Sequence, residues 1–327
     1  MIPICLVTGF LGSGKTTLLR RMIQRHRERR IAYLVNEFAT IDVDGGLLAG
    51  VAEGDHPPDV VAIPGGSIFC SCLVATFIDH LSSLVDRHET QPLDGVVIEA
   101  SGAANPGVIQ QMLSETKLDR SLSLASIVNV VDPGSFLKLI HTLPNIRAQA
   151  AAADLSILNK TDVHDPATVD EAERVLVECN PTGARRRAVA CDVDFEPFPE
   201  PPMRKLIGEL AACQDPHFQK ASVTFAGEVD PDAFEAAVAS LRDDLYRAKG
   251  HVPTPRGVRF LDVTTDSMAF EPAKPGAASG VAVILRKGAA QRVLDTFRGV
   301  PNVEAEETFA PTGEPPKANA TVTLGFE

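Results

Sequence analysis

Apolar, largely β-branched runs at Ile2 to Val7, Ile31 to Asn36, Val60 to Pro64, Gly95 to Glu99, Ala125 to Asp132, Asp154 to Asn159 and Arg187 to Cys191 predict strands. Helical spacing of apolar positions predicts helices at Thr16 to Arg30, Thr76 to His88, Pro106 to Ser114 and Ala167 to Glu178. Alternation of this kind implies an α/β unit over residues 1–195, a mostly parallel sheet with helices on both faces. Its chemistry is expected at the carboxyl ends of the strands. The alternation stops at the proline-rich stretch Glu196 to Pro202, which opens a linker assigned to 196–219. Residues 220–327 then predict a smaller α+β unit. Its strands fall at Ala221 to Phe225, Val258 to Val263, Ser267 to Phe270, Val281 to Leu285 and Ala320 to Phe326, its helices at Pro231 to Tyr246 and Ala289 to Arg298.

A length of 327 residues suits two domains, and 44% hydrophobic with 23% charged residues is ordinary for a chain that buries a core. A net charge of −12 argues against a general nucleic-acid or anionic-membrane binder, both of which need clustered positive charge. No run approaches the length of a membrane span, and Met1 leads directly into a core strand, so a cytoplasmic location is expected. Six cysteines without regular spacing read as thiols rather than a disulfide framework.

Residues Gly9-Phe10-Leu11-Gly12-Ser13-Gly14-Lys15-Thr16 follow the first strand, open the first helix, and complete the pattern G-x-x-x-x-G-K-[ST]. Glycines let backbone N–H groups turn onto phosphate oxygens, and the helix N-terminus beginning at Thr16-Thr17 adds partial positive charge. Lys15 is expected to reach the β and γ phosphates and the Thr16 hydroxyl to ligate Mg²⁺. Asn159-Lys160-Thr161-Asp162 ends a strand where a nucleotide base would lie. An ionised Asp only accepts hydrogen bonds, so Asp162 suits the paired N–H donors of guanine and disfavours adenine. Glu99 ends another strand, where a carboxylate holds Mg²⁺ through water, and Gly102 is placed to offer its N–H to the γ phosphate. Asp94 opens that strand and is the poorer metal candidate. The pattern predicts a GTP-binding enzyme that hydrolyses the β–γ phosphoanhydride slowly, since no glutamine is evident to position water. A small-molecule kinase with the same loop would prefer ATP, against which Asp162 argues.

Asn36-Glu37-Phe38 leads into the acidic, glycine-bearing stretch Asp42 to Gly46, and position alone does not choose among Mg²⁺, a second metal and water as its partner. Cys70-Ser71-Cys72 follows Gly65-Gly66-Ser67-Ile68-Phe69. Two thiolates at i, i+2 suit a soft or borderline ion, and the same spacing serves equally for two small residues packed beneath the sheet. His80 and His88 read as packed or solvent-facing residues.

This ordered set resembles the CobW family of GTP-dependent metallochaperones, relatives of the HypB and UreG GTPases. Tyr246-Arg247-Ala248-Lys249-Gly250 is similar to the R-A-K-G segment of its C-terminal domain, so the likeness spans nearly the whole chain. The resemblance implies a SIMIBI-class P-loop GTPase fold with a CobW-type second domain, slow GTP hydrolysis, and coupling of nucleotide state to delivery of Zn²⁺ or Co²⁺ to a client metalloprotein. It also implies dimerisation. The family's transition-metal site combines a C-x-C-C motif with the glutamate that Glu37 matches. Laid on G-C-x-C-C, the stretch Gly66 to Cys70 keeps one cysteine, with Ser67 and Phe69 at the other two positions. Cys72 offers a replacement two residues on, which makes Glu37, Cys70 and Cys72 the transition-metal candidates. The alternative is a GTPase switch that activates a cofactor-dependent enzyme and has lost the metal.

Overall fold

The computed structural model describes residues 1–37, 59–64, 74–102, 104–200, 206, 218–264, 267–273 and 279–307. Strands β1 (Ile2–Thr8), β2 (Ile31–Glu37), β3 (Asp59–Pro64), β4 (Gly95–Glu99), β5 (Leu122–Val131), β6 (Leu155–Leu158) and β7 (Ala184–Arg187) form one sheet in the order β3-β2-β4-β1-β5-β6-β7. Every pairing in it is parallel. Parallel strands carry helices on both faces and therefore need apolar side chains on both. Alternation along β1 meets that need, sending Ile2, Ile4 and Leu6 into one core layer and Cys5 and Val7 into the other. The first layer is closed by Phe77, Leu81 and Leu84 of α2 (Val74–Thr90) and by Val108, Ile109, Met112 and Leu113 of α3 (Val108–Glu115). The second is closed by α1 (Lys15–Arg25), whose buried Lys15, Leu18, Leu19, Met22 and Ile23 follow the i, i+3, i+4, i+7, i+8 stripe of an amphipathic helix.

Helices α4 (Pro133–Leu139), α5 (Pro144–Ala152) and α6 (Pro166–Cys179) pack a third core beside β5 and β6. Asp132 caps α4 by accepting from the Ser135 N–H at 3.4 Å, and Asp165 caps α6 through the Thr168 N–H at 2.9 Å. Each cap is followed by a proline in the first turn, where the missing N–H costs nothing. The hydrophobic pattern located α6 but not α4 or α5, which are short and lie against the sheet with few polar positions.

A second sheet holds β8 (Phe218–Phe225), β9 (Leu245–Thr254), β10 (Gly257–Val263), β11 (Met268–Pro272), β12 (Gly280–Arg286) and β13 (Val303–Glu307), in the order β11-β10-β9-β12-β8-β13. All its pairings are antiparallel. Helices α7 (Pro231–Ser240) and α8 (Ala290–Arg298) cover one face, with Phe234 at the centre against Phe225, Phe270 and Phe297. The opposite face is polar, as an antiparallel sheet allows, and it is this face that turns toward the first sheet.

Two expectations are corrected. The helix expected over Pro231 to Tyr246 ends at Ser240. After a short 3-10 turn the chain becomes β9, so Arg247 to Gly250 lie on a central strand. A run of charged residues over Arg242 to Asp244 had masked the change of period. The strand expected at Arg187 to Cys191 lies earlier, at Ala184–Arg187, an arginine-rich edge strand with little apolar signal. Strand β13 was not anticipated, and the strand expected at Ala320 to Phe326 lies outside the described residues. No helix among the described residues is long and apolar enough to cross a membrane.

Candidate functional site

The switch in strand order around β1 opens a crevice at the carboxyl ends of β1, β4 and β6, the place where open α/β sheets bind ligands. A cavity of about 700 Å3 lies there, floored by the phosphate loop and roofed by the polar face of the second sheet. Gly12, Gly14, Lys15, Thr16, Thr17, Asn36, Glu99, Gly102, Asn159, Lys160 and Asp162 line its floor, and Lys220, Ser222, Arg247, Lys249 and Asp262 line its roof. Register explains the roof. Lys249 is paired across the sheet with Ala282 and Asp262, and Arg247 with Ile284, so these side chains share one face.

The loop leaves β1 and ends at Gly14, whose φ of 115° caps α1 in a conformation that favours glycine. Any Cβ there would stand 2.3 Å from Asn159 Nδ2, so glycine also permits that contact. Lys15 is 7% exposed and donates from Nζ to the carbonyls of Gly9 at 2.9 Å and Phe10 at 3.3 Å. Burial pushes its ammonium down to about 8, against a raising contribution from Glu99 and a further lowering one from Arg247. The buried hydroxyls of Thr8, Ser13 and Ser101 have no hydrogen-bond partner among the described residues. Buried polar groups are rarely left so, and three around one loop fit a site built for a polyanionic ligand with its Mg²⁺.

Glu99, 4% exposed, ends β4 beside the loop. The following residues are fixed from several sides. The Ser101 N–H donates to Asn36 Oδ1 at 3.1 Å, and the buried Gln149 amide donates to the carbonyls of Gly102 at 3.1 Å and Ala104 at 3.0 Å. Gly102 lies so close to Leu11 of the loop that a Cβ on it would stand 2.7 Å away. Leu11 of the loop is thereby packed directly against the Glu99 to Gly102 segment.

Asn159 proves to be a strut. Its Nδ2 donates to the Ser13 carbonyl at 2.9 Å and its Oδ1 accepts from the Cys191 N–H at 2.7 Å, joining the phosphate loop to the turn after β7. In that turn Ala190 and Cys191 have φ of 48° and 55°, and Val189 and Ala190 line the cavity. Sequence reading missed this turn because it contributes backbone rather than side-chain chemistry. Lys160 pairs with the buried Asp132 at 2.7 Å, which His164 also meets at 2.8 Å, leaving Asp162 as the carboxylate of its tetrapeptide on the cavity. Asp94 accepts from the Arg30 N–H at 2.7 Å where β4 begins, away from the cavity.

The transition-metal candidates fall outside what the structure describes. Cys70 and Cys72 lie outside the described residues, as does the side chain of Glu37, whose backbone ends β2. Among the described residues no group of three or more His, Cys, Asp and Glu side chains is arranged to hold a metal ion. The described cysteines are free thiols, and burial pushes those of Cys5 and Cys191 up to about 12, far from thiolate character.

The nucleotide-binding domain of CobW/HypB/UreG proteins matches residues 3–185. The zinc chaperone CobW of Sinorhizobium sp is 33% identical over 187 residues, covering 50% of this chain and 52% of the relative. The zinc chaperone YjiA of Escherichia coli (strain K12) is 34% identical over 166 residues, 50% of each chain. The chain thus spans about half the length of the curated relatives it matches. The crystal structure of Zn(II)-bound YjiA GTPase from E. coli aligns with 91% of this chain and 98% of its own, at 21% identity and a TM-score of 0.43.

Anionic phosphates against Lys15 will restore its protonation, so binding above pH 8 takes up a proton. Triphosphate affinity, measured calorimetrically, is expected to be level from pH 7 to about 8 and then to fall by up to about tenfold per pH unit. Affinity that stays level to pH 10 would contradict this account of Lys15.

Proposed function

The chain belongs to the CobW/HypB/UreG nucleotide-binding family, and from that premise we propose that it is a GTPase whose nucleotide state governs delivery of a transition metal, Zn²⁺ or Co²⁺, to a client metalloprotein. The observation that carries the nucleotide half is Asp162 on the same cavity as the phosphate loop. We further propose that residues 1–195 form the nucleotide-binding unit, that 220–327 form a second unit joined by 196–219, that the protein works in the cytoplasm, and that it pairs as a homodimer.

In this reading the N–H groups of Gly12, Gly14, Lys15 and Thr16, all on the cavity, receive the phosphates, Ser13 joins them once its N–H leaves the Phe10 carbonyl it meets at 3.2 Å, and Thr17 lies on the cavity as α1 continues. Lys15 exchanges the carbonyls of Gly9 and Phe10 for β and γ oxygens. Asp162 accepts from guanine N1–H and the exocyclic amine, while Asn159 holds loop and base turn at a fixed separation. Thr16, and Glu99 through water, would hold Mg²⁺, whose bound charge offsets that of the phosphates. Water attacks the γ phosphorus as the bond to the β–γ bridging oxygen breaks, and GDP leaves. Gly102, which presses on Leu11, donates its N–H to the γ phosphate and is released with it. Gln149 is committed to the carbonyls of Gly102 and Ala104, which supports slow hydrolysis in the absence of a partner.

The cargo would be held by Cys70, Cys72 and Glu37. A second reading, a GTPase that activates a cofactor-dependent enzyme without carrying metal, is favoured by Ser67 and Phe69, because phenylalanine has no donor atom and serine is a poor ligand for soft ions.

Two measurements test the proposal. GDP is expected to displace a labelled guanine nucleotide at least about 100-fold better than ADP, and D162N to remove most of that preference. Equal competition by ADP would refute the guanine site. Zn²⁺ titration of the full chain is expected to show tight binding that differs between GDP and a nonhydrolysable GTP analogue and disappears in the C70S/C72S double variant. Binding unaffected by both nucleotide and variant would support the metal-free switch.

A further inference from the structure

Arg247 approaches the phosphate loop from the roof of the cavity. A Cβ built on Gly12 would stand 3.4 Å from Arg247 Nη1 and 2.4 Å from the Thr264 methyl, so the absence of a side chain at Gly12 is what lets β9 and the end of β10 come this close. The guanidinium is 15% exposed and is held as a fork. Nη1 meets Asp262 Oδ1 at 2.5 Å, Nη2 meets Asp262 Oδ2 at 3.2 Å, and Nη1 also donates to the Val263 carbonyl at 3.2 Å. The backbone on which this rests is stiff, because β9 is paired on both sides, with β10 and β12. The loop is fastened to the same sheet by an edge-to-face contact of Phe10 with Tyr246 at 5.9 Å and by packing of Leu11 in one cluster with Tyr246 and Ile284.

A bidentate carboxylate presents a pair of acceptors at a spacing similar to that of two oxygens of a phosphoryl group. Asp262 thus occupies the guanidinium as a γ phosphate would, on the cavity that holds Gly12, Lys15 and Gly102. The loop's own second and third positions, Phe10 and Leu11, are apolar and supply no cation of their own.

We propose that Arg247 is a catalytic residue of GTP hydrolysis, an arginine supplied by the second sheet of the same chain that leaves Asp262 to donate to γ-phosphate oxygens in the transition state. The assignment rests on the GTPase reading above. As the bond from the attacking water forms and that to the β–γ bridging oxygen breaks, negative charge grows on the bridging and γ oxygens. The water proton ends on the released phosphate. The guanidinium stays protonated throughout and meets the charge with fixed N–H donors. Its exchange of Asp262 for γ phosphate also makes the second sheet responsive to whether GTP or GDP is bound.

The test uses the full chain, with single-turnover GTP hydrolysis, GDP affinity and formation of the GDP·aluminium fluoride complex measured on the wild type, R247A and R247K. R247A is expected to hydrolyse about 10²- to 10³-fold more slowly, to bind GDP within about threefold of the wild type, and to fail to trap aluminium fluoride. R247K keeps the charge and an alkyl stem of similar length, and so preserves the fold if R247A does not. It is expected to recover only a small part of the rate, since an ammonium lacks the fork. Hydrolysis within threefold of wild type in either variant, or normal trapping of aluminium fluoride, would overturn the assignment while leaving the GTPase reading intact. A wild type that turns over no GTP would overturn both.

Discussion

Lys15 is held almost out of water on two carbonyls of its own loop, at the positive end of a helix, an arrangement that is costly unless an anion completes it. Much of the surrounding structure follows from keeping that site open and rigid. The central strand β1 must be buried on both faces to place the loop, the glycines must yield to Asn159 and Thr264, and Glu99 must stand close enough to temper the positive charge. The unsatisfied hydroxyls of Thr8, Ser13 and Ser101 carry the same implication, since they cluster at the loop, with Ser101 on the cavity itself.

The second sheet gives the site its other half. Helices on one of its faces leave the other free to carry Lys220, Ser222, Arg247, Lys249 and Asp262, and those residues meet the loop across the cavity. Packing of Phe10 and Leu11 in one core with Tyr246 and Ile284 ties the loop to both sheets. Binding a triphosphate in such a place stabilises loop and roof together, and a change at the γ position is felt by both. That would be the physical basis for the proposed coupling of nucleotide state to a metal or client, because a ligand can shift a structure only through contacts that differ between its states.

The first sheet was legible in the sequence because buried parallel strands write continuous apolar runs, and the phosphate loop because its glycines and lysine have few other uses in that spacing. Asp162 and Glu99 were legible by position, each following a strand whose carboxyl end the fold brings to the crevice. Strand β9 was not, although Arg247 and Lys249 alternate with Tyr246, Ala248 and Gly250 as strand positions do, because the charged run Arg242 to Asp244 hid the end of the helix before it. The partners of the Asn159 amide, the Ser13 carbonyl and the turn at Ala190 and Cys191, were invisible for another reason. Their role lies in backbone N–H and C=O groups, which every residue carries. The Asp-Pro pair at Asp132 and Pro133 did announce α4, and weighing that cap more heavily than hydrophobic period would have found it.

The account's central claim is that the nucleotide is enclosed by both sheets. Amide hydrogen exchange of the full chain with and without a nonhydrolysable GTP analogue measures this directly, because exchange reports local opening segment by segment. Slower exchange is expected both in the phosphate loop with the turn at residues 188–191 and in the β10–β11 region, Gly257 to Pro272, whose residues line the roof. Protection confined to the loop and the base turn, with Gly257 to Pro272 unchanged, would contradict it.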